Sequence, residues 1–241
     1  MISISPGHWK PGTGAKDIVD EVTEARRITR RVVEILRKGG IQTNHIEDNF
    51  SNNKNQNLTY LVTQHNKTTR ELDVSIHLNA SSGRQVKGIG TEVLYIEPED
   101  KILASNVSSA ISKSSGLINR GAKNRNDLAF LNNIKKLNDN RKKGTPKKKA
   151  ILIEVFFVNS TVDVALYNRD FEKICQAIAK ELATAVGKTL GGNTVGKYEL
   201  VEDKNSKVWR IQSGAYKDKK EAIKAFEKSG FKYATIKGSE K

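Results

Sequence analysis

Asp73-Val74-Ser75-Ile76-His77-Leu78-Asn79-Ala80 decides how this chain is read. A short apolar strand ends there, a histidine is the first polar group past it, and small residues follow. The same arrangement stands near the start, where Ile2-Ser3-Ile4-Ser5 reads as a strand and Pro6-Gly7-His8 turns out of it. A third strand, Ala150-Ile151-Leu152-Ile153-Glu154-Val155-Phe156-Phe157-Val158, carries a carboxylate inside an apolar run. Open α/β sheets gather ligands at the carboxyl ends of their strands. Two imidazoles and a carboxylate aimed at one such edge point to a metal site.

Working outward, strand patterns alternate with helix patterns over residues 1–190. From Asp17 to Lys38 the apolar residues Val19, Val22, Ala25, Ile28, Val32, Ile35 and Leu36 recur at three- and four-residue steps, an amphipathic helix that Gly39-Gly40 stops. Ile41 to Ile46 alternates as a strand, Asp48 to Asn57 is an Asn-rich loop, and Leu58 to Thr69 reads as helix. Thr91 to Ile96 is a further strand, and helix patterns recur over Lys101–Ser114 and Phe171–Leu190. Alternation of this kind predicts an α/β fold, a twisted and mostly parallel sheet flanked by helices. Residues 191–206, opening on Gly191-Gly192-Asn193-Thr194, read as a linker. Residues 207–241 read as a small β-α-β unit: a strand from Lys207 to Tyr216, a helix from Lys219 to Ser229, and a strand from Phe231 to Lys237.

Composition bounds the chemistry. In 241 residues, 42 basic against 27 acidic side chains leave a net charge of +15. That excess predicts attraction to a polyanion such as nucleic acid, an anionic membrane face or an anionic wall polymer. The single cysteine, Cys175, excludes an intramolecular disulfide and a cysteine zinc cluster, and its helical setting marks it as a buried structural thiol. No apolar run reaches the roughly 20 residues that span a bilayer. The N-terminus lacks a basic segment followed by an apolar one, so synthesis in the cytoplasm without a signal peptide is expected.

Zinc takes histidine nitrogen and carboxylate oxygen, and a catalytic site pairs three protein ligands with one open position. His8 and His77 supply two. His45, within a strand, and His65, on a helix, read as surface or packing histidines. Asp20, Glu21 and Glu24 are the candidates for the third ligand. Acidic residues in a first helical turn also complement the helix dipole. Glu21 shares a stripe with Ala25, Ile28 and Val32, which favours it over Glu24. Glu154 is the candidate general base, because a charge in a core strand calls for a partner and a nearby metal is one. A structural ion pair is the other reading. The H-E-x-x-H, G-x-S-x-G and P-loop motifs are absent.

Together these residues resemble the zinc-dependent N-acetylmuramoyl-L-alanine amidases of type 3, phage endolysins among them. Ser5-Pro6-Gly7-His8, Glu21, Ser75 to Ala80 and Ile153 to Asn159 match in order, and Asn119-Arg120-Gly121-Ala122-Lys123 with Leu128 and Leu131-Asn132 is similar to a segment of the phage enzymes. The resemblance covers about residues 1–190. It implies Zn2+ held by His8, Glu21 and His77, with Glu154 as catalyst. The implied substrate is the amide joining the lactyl group of N-acetylmuramic acid to L-alanine in peptidoglycan. Trp9, Asn79, Arg120 and Lys123 are the expected substrate contacts. The basic insertion from Arg141 to Lys149 and the charge excess suit anionic wall polymers, and nucleic acid is not an expected partner. The tail resembles the first half of a SPOR-type glycan-binding domain, with Trp209, Arg210, Gln212 and Tyr216 as its wall-binding residues and a dimer through this segment as a further expectation. The enzyme would act on the bacterial cell wall, released through a holin or by mother-cell lysis. A non-catalytic wall- or polyanion-binding protein and a zinc peptidase of related architecture are the rival readings.

Overall fold

The computed structural model describes residues 1–67, 69–142 and 145–190, together with the backbone of 199–203 and 208–212. Two compact units divide the chain, residues 1–194 and 195–241. In the first, the elements run β1 (Ile2–Pro6), α1 (Glu21–Lys38), β2 (Thr43–His45), α2 (Lys54–Asn66), β3 (Leu72–Asn79), β4 (Thr91–Tyr95), α3 (Lys101–Ser115), β5 (Asn119–Asn124), α4 (Ala129–Asp139), β6 (Lys149–Phe157) and α5 (Thr161–Ala185). The sheet order is β2-β1-β3-β6-β4-β5. Every pairing is parallel except β4 with β6, which is antiparallel. The mostly parallel α/β sheet expected from the alternation is therefore present.

Both faces of the sheet are covered, and the strands sort their side chains accordingly. Ile151, Ile153 and Val155 of β6 join Val74 and Ile76 of β3 in a core with Ile28 and Val32 of α1, Val107 and Ile111 of α3, and Ile174 and Ile178 of α5. Ala150 and Leu152 point the other way and pack on Phe130, Leu131 and Ile134 of α4. On that second face β1 and β3 carry polar groups. Ser5, Asp73 and Ser75 are buried there, and His65 of α2 bridges Asp73 Oδ1 (2.8 Å) and Ser5 Oγ (3.1 Å). Glu154 follows Ala150 and Leu152 at two-residue steps, so the strand period places it on the polar face.

Several boundaries differ from the sequence reading. α1 starts at Glu21 rather than Asp17, because Asp20 caps it and accepts from Thr23 N at 3.0 Å. α2 starts at Lys54 rather than Leu58: within the Asn-rich stretch, Asn53 caps by accepting from Gln56 N at 3.0 Å. α5 begins ten residues before the expected Phe171, at Thr161, capped by Ser160. Asp170 lies inside it with non-helical backbone (φ −116°, ψ 22°), and that interruption hides the first half from a periodicity argument. β5 and α4 are additions. β5 is an exposed edge strand of sequence Asn-Arg-Gly-Ala-Lys-Asn, with none of the β-branched residues that mark a strand.

In the second unit, β7 (Glu199–Asp203) and β8 (Val208–Gln212) pair antiparallel, Glu199 opposite Gln212 and Asp203 opposite Val208. β7 falls in the stretch read as linker. The expected helix from Lys219, the strand from Phe231, the residues 191–194 and Tyr216 lie outside the described residues, as do two residues of the basic insertion, 143–144. Among the described residues no helix is long and apolar enough to cross a membrane.

Candidate metal centre

β1 ends at Pro6, and the next two residues are shaped by what must pass beside them. Gly7 N donates to Ile76 O at 2.8 Å, tying the exit of β1 to β3. A Cβ on Gly7 would stand 2.1 Å from His77 Cε1, so only glycine leaves room for that ring. His8 has left-handed backbone (φ 61°), an unfavourable conformation for a residue with a side chain. Its carbonyl accepts from Asn57 Nδ2 at 3.3 Å. Backbone strain of this kind persists where the surroundings hold it, and such places are often functional.

Glu21 is the first residue of α1, where the helix dipole favours a carboxylate. Its Oε2 lies 3.2 Å from His8 Nε2, and its Oε1 lies 3.0 Å from His77 Nδ1. Ala15 N donates to Oε2 at 2.7 Å and Leu78 N to Oε1 at 3.2 Å. Gly14 completes the cradle, since a Cβ there would fall 2.5 Å from Oε2. Burial pushes the Glu21 pKa up. Hydrogen bonds to His77 and His8, and their fields, outweigh it and hold the carboxyl well below the usual carboxylate range. One ligand atom from each of His8, Glu21 and His77 falls within 4.8 Å of the others. The two imidazoles meet edge to face with centroids 5.3 Å apart. His77 Nε2 faces Ser75 Oγ at 3.1 Å, which leaves Nδ1 toward the carboxylate.

The other first-turn acids are occupied. Asp20 caps α1 and also accepts from Gly12 N at 2.7 Å. Glu24 turns to the Tyr167 hydroxyl of α5 and to Arg27 at 3.2 Å. Of the three candidates the structure thus brings Glu21 alone to both histidines.

Glu154 is the register partner of His77 on β3 and of Glu92 on β4. Its Oε2 is buried and has no hydrogen-bond partner among the described residues. Burial, then the fields of Glu21 and Glu92, push its pKa up to about 8 against the opposing field of Arg125. Glu92 did not emerge from the sequence reading, although it carries the same signal as Glu154, a carboxylate inside an apolar strand. It is buried and accepts from Asn79 Nδ2 at 3.0 Å and from Arg120 Nε at 2.7 Å.

The remaining expected site residues are scattered. Asn79 and Arg120 meet at Glu92. Lys123 is exposed on β5, opposite Leu94. Trp9 is half-buried, its carbonyl accepts from Arg26, and its indole Nε1 is buried without a partner among the described residues. Trp209, Arg210 and Gln212 lie on β8, where only the backbone is described. His65 is a wholly buried packing histidine rather than a surface one, and His45 is half-buried with Nε2 3.6 Å from Glu47. Cys175 is buried, and burial raises its thiol pKa to about 12, which suits a structural role.

Known proteins resemble this chain over the same residues. An uncharacterized protein of Clostridium perfringens (strain 13 / Type A) is 29% identical over 189 residues, 78% of this chain and 51% of that protein. An uncharacterized 38.4 kDa protein of Clostridium perfringens is 29% identical over 195 residues, 80% of this chain and 53% of that one. The chain spans about half the length of the curated relatives it matches. The solved catalytic domain of the CD27L endolysin targeting Clostridia difficile is 26% identical with a TM-score of 0.64, covering 78% of this chain and 97% of that domain. The catalytic domain of CwlV, an N-acetylmuramoyl-L-alanine amidase from Bacillus (Paenibacillus) polymyxa var. colistinus, shares the fold at 22% identity and a TM-score of 0.61, covering 77% and 97%. The N-acetylmuramoyl-L-alanine amidase family matches residues 2–188, and the chain belongs to that family.

Proposed function

We propose that this chain is a zinc-dependent peptidoglycan hydrolase that cleaves the amide between N-acetylmuramic acid and L-alanine, in the service of phage or prophage lysis. The observation that carries the reading is the convergence of one ligand atom each from His8, Glu21 and His77 within 4.8 Å, one strand from a glutamate whose buried Oε2 has no partner among the described residues. Two imidazoles and a carboxylate are a zinc donor set. Gly7 and Gly14 leave the space these side chains need, and the lowered pKa keeps Glu21 ionised.

In this reading His8, Glu21 and His77 hold Zn2+. When bound, zinc supplies Lewis acidity that polarises the scissile carbonyl and acidifies a water. Glu154 ionises more readily beside a dication and acts first as base, taking the proton of the attacking water. It then delivers that proton to the nitrogen of the departing alanine. Asn79 and Arg120, tied to Glu92, and Trp9 and Lys123 line the substrate path. Residues 1–190 form the catalytic domain, and the half-SPOR-like tail, with Trp209, Arg210, Gln212 and Tyr216, is a wall contact and a dimer surface. The net charge of +15 draws the protein to anionic wall polymers. It acts on the cell wall after release through a holin or by mother-cell lysis.

Mass spectrometry of the products of purified peptidoglycan tests the reading. Wild type is expected to release intact stem peptides with a free N-terminal L-alanine, and to stop when a chelator is added. Glu154→Gln is expected to lose about 100-fold or more in rate, the scale of general acid–base catalysis. Near-wild-type release by Glu154→Gln, or cuts between stem-peptide residues, would overturn it.

A further inference from the structure

The row of register partners that begins at His77 does not end at Glu154. It continues on β4 to Glu92, and Glu92 holds an arginine. β4 and β5 slip register there: Thr91 pairs with Asn119, but Glu92 pairs with Gly121, so Arg120 is the extra residue of a bulge. Bulges re-aim a side chain. The Arg120 guanidinium is fixed at Nε by Glu92 Oε2 at 2.7 Å and lies over the Phe157 ring, 5.1 Å from its centroid. Its two Nη groups have no hydrogen-bond partner among the described residues, and the side chain is 37% exposed. Gly121 beside it has left-handed backbone (φ 77°), and apart from its chain neighbours no described atom lies within 4 Å of where its Cβ would stand. A guanidinium held at Nε and on one face, partly exposed and with both Nη groups unengaged among the described residues, is a preorganised receptor for a carboxylate.

The same row orders the substrate. The scissile carbonyl belongs beside His8, Glu21 and His77, and the leaving nitrogen belongs beside Glu154, which protonates it. The departing peptide therefore continues across β4 toward β5. Glu92, the register partner of Glu154, stands one strand spacing of about 4.8 Å beyond it and holds Arg120, and an extended peptide advances about 3.4 Å per residue. The group facing Arg120 then belongs to the second residue of the peptide.

We propose that Arg120, positioned by Glu92, binds a free carboxylate on the second residue of the departing peptide. The chain thereby discriminates a stem with that carboxylate free from one in which it is amidated. The inference rests on the amidase reading and adds to it the recognised feature of the substrate.

Two muramoyl dipeptides that differ only in a carboxylate or a carboxamide on the second residue, offered to the full-length zinc-loaded protein, test it. Wild type is expected to show a kcat/KM about 10-fold or more higher for the carboxylate, the scale of a charge-assisted hydrogen-bond pair. Arg120→Ala is expected to bring the two substrates within about twofold, mainly through KM for the carboxylate, with Arg120→Lys and Glu92→Gln between the extremes. Equal turnover of both substrates by wild type, or an undiminished preference in Arg120→Ala, would overturn the inference. If wild type hydrolyses neither substrate, the amidase reading fails instead. The inference is then read from calorimetric binding of the free dipeptides, alanyl-glutamate and its carboxamide. Tighter binding of the carboxylate that vanishes in Arg120→Ala supports it, and equal affinities overturn it.

Discussion

Gly7 and Gly14 show most plainly how single residues make room for the proposed centre. A methyl at Gly7 would meet the His77 ring, and one at Gly14 would meet Glu21 Oε2. Gly7→Ala is therefore expected to weaken zinc binding about 10-fold or more, because the ring must leave its place, while circular dichroism reports an unchanged fold. Undiminished zinc affinity would show that the cradle does not position the ring. His8 was legible in the sequence because it stands just past β1, and His77 because it is the first ring in an apolar run, although β3 continues through it to Asn79 rather than ending before it. The choice among Asp20, Glu21 and Glu24 was legible only in part: the stripe shared with Ala25, Ile28 and Val32 favoured Glu21, but a first helical turn attracts acids for electrostatic reasons alone. Tertiary partners separate them: Tyr167, 143 positions away, takes Glu24, and Gly12 takes Asp20. Glu92 was missed because its strand was read for its apolar pattern without asking what its one charge was for.

At the scale of elements, caps and anchors set where helices begin and how they meet the sheet. Asp20 ends the loop that carries Gly14 and begins the helix that carries Glu21. Asp20→Ala is expected to cost about 1 kcal/mol in denaturant unfolding, with a parallel loss of zinc affinity as the first turn of α1 frays. Asp100, buried just before α3, accepts from Ala150 N of β6 at 3.0 Å. Burial raises its pKa to about 6, with Glu99 and Glu97 adding to the rise and the Ala150 hydrogen bond and Lys149 opposing it. A carboxyl whose folded pKa is raised stabilises the fold below its unfolded pKa, and that stability is lost as pH rises through the folded value. Wild type is therefore expected to lose about 2–3 kcal/mol relative to Asp100→Asn between about pH 4 and pH 8. A pH-independent difference between the two proteins would show that Asp100 does not titrate this way. The central strands were readable because burial on both faces writes long apolar runs. β5 and the first half of α5 were not: one is a polar edge, and Asp170 breaks the other's period.

Across residues 1–190, one face of the central strands is mainly apolar, and the other becomes polar beneath the candidate centre. Arg70 Nε binds both Asp73 oxygens, at 2.7 and 2.8 Å, and His65 Nδ1 lies 2.8 Å from Oδ1, all buried. Removing the carboxylate leaves a buried guanidinium unpaired, so Asp73→Ala is expected to destabilise by about 3–5 kcal/mol in urea unfolding. This network was out of reach of periodicity, because its members come from β1, α2, β3 and the connection that carries Arg70, and each looks ordinary in its own segment. The charge excess acts at the same scale. Adsorption to walls bearing anionic polymer is expected to weaken as salt rises and the Debye length contracts, and salt-independent adsorption would assign binding to something other than charge.

In the proposed centre His8, Glu21 and His77 jointly grip one divalent cation. An equilibrium zinc titration of the full chain, with wild type and the single variants His8→Ala, Glu21→Ala and His77→Ala in parallel, measures that grip. One tight site is expected in wild type, with an affinity lower by about 10-fold or more in every variant, each still folded. Wild-type affinity retained in any one of the three would contradict it.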